Sequence, residues 1–100
     1  MIVSVSQGGV CLLEPADFKR FMVVSSLDPD LTRTSLLDEA ARDHDGDGCW
    51  IDLDWINAAS GPLASDPAWQ GGFAAMLDYA ASKGWVNRLD RTVRAHVVFA

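Results

Sequence analysis

Positive charge is scarce in this chain. Eight Lys and Arg stand against fourteen Asp and Glu, a formal net charge of −6 over 100 residues. Nucleic acids and anionic membrane surfaces attract clustered Lys and Arg, so this deficit argues against generic binding to either. Cysteine is scarce as well: Cys11 and Cys49 are too few for a disulfide framework. No apolar run approaches the length of about 20 residues that a membrane span takes. Residues 1–13 lack the basic start and unbroken apolar stretch of a secretion signal. Repeats and low-complexity linkers are missing too. These absences lead to the expectation of a cytoplasmic protein with reduced thiols.

What is present describes a folded domain. Apolar residues make up 49% and charged ones 22% of the chain, a globular balance, and four tryptophans add core-forming area. The length suits one domain, residues 1–100, around one core. Charge is unevenly placed. Residues 28–54 hold nine acids against Arg33 and Arg42, whereas residues 82–100 hold Lys83, Arg88, Arg91 and Arg94 against Asp90 alone. An acidic middle and a basic tail attract each other if the fold brings them together.

Along the chain, residues 2–6 alternate and are rich in Val and Ile, and Val10-Cys11-Leu12-Leu13 is a second apolar run. Gln7-Gly8-Gly9 between them predicts a hairpin. Pro15 at a first-turn position predicts a helix with Phe18, Phe21, Met22 and Ser25 on one face. Val23-Val24 favours a strand over residues 18–24 instead. A helix is expected over residues 31–42 from the stripe Leu31, Leu36, Leu37, Ala40 and Ala41. Another is expected over residues 52–59, with Asp52 as cap and Gly61-Pro62 as stop. Ser65-Asp66-Pro67 starts the clearest helix, whose Trp69, Phe73, Met76, Leu77 and Ala80 recur at spacings of three and four. Gly84 ends it. Residues 85–87 form a short segment, and residues 92–99 alternate as a half-buried strand. The fold expected from these elements is α+β: a small antiparallel sheet, made by the N-terminal hairpin pairing with the C-terminal strand, covered by three or four helices.

One stretch has a chemical vocabulary of its own. Asp43, Asp45 and Asp47 alternate, Gly46 and Gly48 are interleaved with them, and an apolar segment follows. The stretch 43–54 resembles the EF-hand calcium loop. In that resemblance Asp43, Asp45 and Asp47 supply carboxylate oxygens and Gly48 takes the sharp turn. Cys49 offers its backbone carbonyl, and Asp54 closes the ring where the family has glutamate. The resemblance implies a helix–loop–helix and, given the shorter Asp54, weakly bound Ca2+. The other reading of the same residues is an acidic surface turn, because Asp-Gly pairs are ordinary turn chemistry.

The remaining chemistry is thin. His44, Cys49, Cys11 and His96 match no standard zinc spacing. Cys11 has apolar neighbours and nothing that marks an activated thiol, and Asp52 and Asp54, two apart on a helix, face different ways. Three classes of function follow. The favoured one is a small acidic, non-catalytic protein-interaction or regulatory module carrying the divalent-cation loop, with Trp50 and Trp55 as anchors beside it and another protein as partner. The second is a winged-helix-like nucleic-acid-binding domain, from the helix, short strand and long strand at the C-terminus with their basic residues. The third is a small enzyme with a pocket between sheet and helices, using Cys11, His96 or the aspartates.

Overall fold

The computed structural model describes residues 1–100. Strand β1 (Ile2–Ser6) and β2 (Gly9–Leu13) form the expected hairpin, with Gly9 at a φ of 118° that side chains resist. A loop leads to β3 (Met22–Ser25), which lies parallel to β1. Helix α1 (Pro29–Glu39) starts at Asp28, whose carboxylate accepts the amide of Leu31 at 2.8 Å. Strands β4 (Ala41–Asp45) and β5 (Gly48–Asp52) form a second hairpin. Helix α2 (Leu53–Ala59) follows, then a 3-10 turn (Gly61–Ser65) and α3 (Pro67–Ser82), capped by Asp66 through the amide of Ala68. The chain closes with β6 (Val86–Asn87) and β7 (Thr92–Phe99).

The expected small antiparallel sheet under three or four helices is not what forms. All seven strands join one mixed sheet in the order β2-β1-β3-β7-β5-β4, with β6 on the edge of β7 that β3 also uses. Three α-helices accompany it. The terminal strands share this sheet without pairing directly, because β3 lies between them, parallel to both. A slot between two strands rich in Val satisfies the backbone of residues 22–25 on both sides, so the strand reading of this segment prevails over the helix. No helix is long and apolar enough to cross a membrane.

Alternation divides the sheet into two faces of different character. Val3, Val5, Val23, Cys49, Ile51, Val93, Ala95 and Val97 point to one side and join a single core with Leu36 of α1, Ile56 of α2 and Trp69, Phe73 and Ala80 of α3. All three helices therefore cover the same face. In α1 the buried positions are Thr32 and Leu36, while Leu31 and Leu37 are exposed, which corrects the expected stripe. Thr32 belongs inside because its hydroxyl and that of buried Ser25 meet at 2.6 Å. The other side chains, at the intervening positions, make up a sheet face that carries no helix.

Candidate functional site

The aspartate stretch is a β-hairpin. Asp45 faces Gly48 across a two-residue turn, Gly46-Asp47, and Gly46 has a φ of 52°. Glycine at the first central position is what a tight hairpin turn of this length favours. The helix–loop–helix implied by the EF-hand resemblance is absent: Cys49 and Ile51 are fully buried, and they hold β5 in the ladder between β4 and β7. Cys49, a carbonyl ligand in the calcium-loop resemblance, instead donates its thiol to the carbonyl of Asp43 at 3.3 Å. Burial, with Asp43 and Asp45 nearby, pushes that thiol up to about 12.

The hairpin tip is closed by an arginine. Arg94 donates Nε to Asp45 at 2.9 Å and Nη2 to Asp47 at 3.2 Å, and the Trp50 indole N–H donates to the second oxygen of Asp45 at 2.8 Å. These bonds, Arg94 first and Trp50 next, hold the Asp45 carboxyl below its ordinary value. Arg91 pairs with Asp54 at 2.7 Å in the same manner, so the acidic middle and the basic tail do meet. Gly48 has a role that the calcium-loop resemblance did not suggest. A Cβ there would lie 2.2 Å from the guanidinium carbon of Arg94, so glycine is what lets the arginine cross β5 to reach the tip.

For a cation, the five named positions are dispersed. Asp45 and Asp47 converge on Arg94 and Asp43 accepts the amide of His44. Asp54 sits on α2 with Arg91, and Cys49 lies inside the ladder. No three His, Cys, Asp or Glu side chains are grouped around one point. The donors of an oxygen cage are thus engaged elsewhere in this arrangement. Cys11 and His96 stand apart as well, with β1 and β3 between their strands, a separation of about 14 Å at ordinary strand spacing.

The helix-free face has an ordered pattern. Following the register across the sheet, one row runs Leu13, Ile2, Met22, His96, Gly48, Asp45. The next runs Cys11, Ser4, Val24, Val98. None of Leu13, Ile2, Met22, Val24 and Val98 joins the core, and Leu13 is 47% and Val98 38% exposed. The face is therefore apolar over β2, β1, β3 and the end of β7, and charged over the β4–β5 hairpin. Trp50 lies on its charged half, half-buried. Trp55, expected at the surface, is half-buried against the core from α2.

A cleft of about 350 Å3 opens where β3 and β6 leave a gap along their shared edge of β7. Phe18, Phe21, Met76, Tyr79 and Trp85 supply most of its wall, and Lys19, Arg94 and His96 its ionisable groups. Sequence reasoning missed this site. Its walls come from a loop, α3 and β6, and only exposed Trp85, among basic residues, was a signal.

Comparisons with protein-family models, with curated proteins and with solved structures found no match to this chain.

Proposed function

We propose that this domain is a non-catalytic binding module that recognises a partner protein through the helix-free face of its sheet. The observation that supports this most is the apolar strip formed by Leu13, Ile2, Met22, Val24 and Val98, which no helix or core residue covers. Contiguous apolar surface of this kind is where interfaces form, since burying it releases ordered water and costs no polar group its hydrogen bonds. The chemistry of the partner follows from the border of the strip. Asp45 and Asp47 share one guanidinium, that of Arg94, and Asp43 forms no ion pair, so the charged half stays net negative in a chain of −6. The complementary surface is an apolar patch flanked by Lys or Arg.

Nothing observed favours the nucleic-acid reading. Arg91 and Arg94 of the basic tail are tied to Asp54, Asp45 and Asp47, which leaves only Lys83 and Arg88 of that tail outside ion pairs and weakens its pull on a phosphate backbone. The interaction reading is tested by placing a photo-crosslinking amino acid at position 98 or, as control on α1, at position 33. The expected result is an adduct with one partner from position 98 alone, and loss of the reconstituted complex in Leu13→Glu. An adduct from position 33 alone, or a complex indifferent to Leu13→Glu, would refute it.

A further inference from the structure

We propose that a polar pocket between β4 and the β6–β7 turn binds one neutral sugar ring. The ring's face lies on the Trp50 indole and its hydroxyls meet Arg42 and Asp43 at one end, Asn87 and Asp90 at the other, and Thr92 at the floor. The pocket is on the helix-free face but away from the apolar strip, and it does not rest on the reading of that strip.

The register places the walls. Thr92 of β7 lies opposite Asn87 of β6 and Asp52 of β5, and Trp50, two residues before Asp52, lies opposite Asp43 of β4. Thr92, Asn87, Trp50 and Asp43 share the helix-free face, because Val93 beside Thr92 and Ile51 beside Trp50 belong to the core. Arg42 sits at the register shift between Ala41 and Asp43. The pocket that these residues line together with Asp90 has a volume of about 210 Å3. At about 30 Å3 for each water it holds about seven, about the volume of one six-membered sugar ring with its hydroxyls.

An unused hydroxyl marks the floor. Thr92 is 1% exposed, and its hydroxyl bonds to no protein group. No side-chain polar atom in the chain is both sealed from water and unbonded. The sliver of Thr92 that solvent reaches is therefore this hydroxyl, opening into the pocket that Thr92 lines. A buried hydroxyl without a partner in the fold takes one from outside it.

The walls are unfilled as well. Arg42 enters no ion pair. Asp43 accepts the amide of His44 with one oxygen and keeps the other free. Asn87 donates to one oxygen of Asp90 at 3.2 Å and accepts the Asp90 amide at 3.1 Å, which fixes that end and leaves the second Asp90 oxygen free. Donors and acceptors thus stand side by side, which suits hydroxyls, since each both donates and accepts. Trp50 spends its N–H on Asp45 and presents an apolar ring, whose negative face attracts the C–H bonds of a sugar. Charge argues against other ligands. Arg42, Asp43 and Asp90 sum to −1, which disfavours a phosphate or a carboxylate. The two acids are separated by β5 and β7, about 10 Å at ordinary strand spacing, so a compact cation meets one of them only.

The test follows indole and amide NMR shifts of the full chain with glucose, galactose and mannose and their methyl glycosides, each up to about 50 mM. At least one is expected to shift the Trp50 indole and the Thr92 and Asn87 amides saturably. A glycoside that binds as well as its free sugar identifies the end of a carbohydrate chain as the source, and a weaker one a free monosaccharide. Thr92→Val should weaken binding about tenfold, the effect of one lost hydrogen bond, without lowering the melting temperature, because the hydroxyl holds nothing in the fold. Thr92→Ser, which keeps the hydroxyl, should bind as the wild type does. The uronate of the sugar that binds should be about tenfold weaker. Val98→Glu, which disables the apolar strip, should leave sugar binding intact. Shifts with none of the sugars, indifference to Thr92→Val, or tighter binding of methylammonium than of any sugar would each overturn the assignment.

Discussion

Two neighbouring glycines on α3 should respond to the same substitution in opposite directions. An alanine Cβ at Gly71 would meet nothing within 4 Å, whereas one at Gly72 would lie 2.4 Å and 2.6 Å from two ring carbons of Phe18. Both positions are helical, so alanine gains about 1 kcal/mol of helix propensity at each. At Gly71 that gain stands alone. Gly71→Ala should raise the melting temperature by about 4–8 °C for a domain of this size. At Gly72 the Phe18 ring must retreat by about 1 Å to regain contact distance. That ring is held against Trp69 at a centroid distance of 5.9 Å, so its displacement disturbs the packed cluster. Overpacking of this kind costs about 1–3 kcal/mol, which leaves Gly72→Ala between neutral and about 2 kcal/mol destabilised. Thermal melts of the two single variants measure the difference. A second pair, in a Phe18→Leu background, separates the clash from propensity by a double-mutant cycle. If both alanines stabilise equally in the wild-type background, Phe18 does not pack over α3, and the wall of the cleft is wrong.

The two thiols should separate kinetically: a thiol reagent modifies exposed Cys11 at once and reaches Cys49 only on unfolding, since its thiol is buried and pushed up to about 12. Rapid modification of both would mean that β5 is not held inside the sheet. Because Arg94 and Trp50 depress the Asp45 carboxyl below 3.8, their stabilisation is complete above the unfolded value and is lost as pH falls through 3.8 towards the depressed folded value. Between about pH 5 and pH 3 the melting temperature should therefore fall more steeply in the wild type than in Asp45→Asn, and parallel slopes would argue against the clamp. Millimolar calcium should leave the melting temperature unchanged, because an ion must displace Arg94 to reach Asp45 and Asp47 together. A rise with calcium that Asp45→Ala abolishes would establish a cation at the hairpin tip instead.

Several elements were legible in the chain because their causes are local. Gln7-Gly8-Gly9 between two apolar runs makes the first hairpin, and Asp66-Pro67 starts α3 through a side-chain cap and a preset φ. The alternation of Thr92–Phe99 makes β7. Of the set Val93, Ala95, Val97 and Phe99 that alternation assigns to one face, the first three are buried, while Phe99 at the strand's end is 49% exposed.

The arrangement of the strands was not. Phe18, Phe21, Met22 and Val23-Val24 satisfy a helical and an extended spacing alike, and only the vacant slot between β1 and β7 makes residues 22–25 a strand. The alternating aspartates were ambiguous in a similar way. Acids at every second position curl around a cation or line one side of a hairpin, and their own sequence does not choose. What chooses is the burial of Cys49 and Ile51 against Ala95 and Val93, together with Arg94 reaching Asp45 from 49 residues away. Local propensity narrows which segments are extended or helical, residues 22–25 excepted. Which extended segments become neighbours depends on backbone hydrogen bonds and burial that exist only once distant parts of the chain have met.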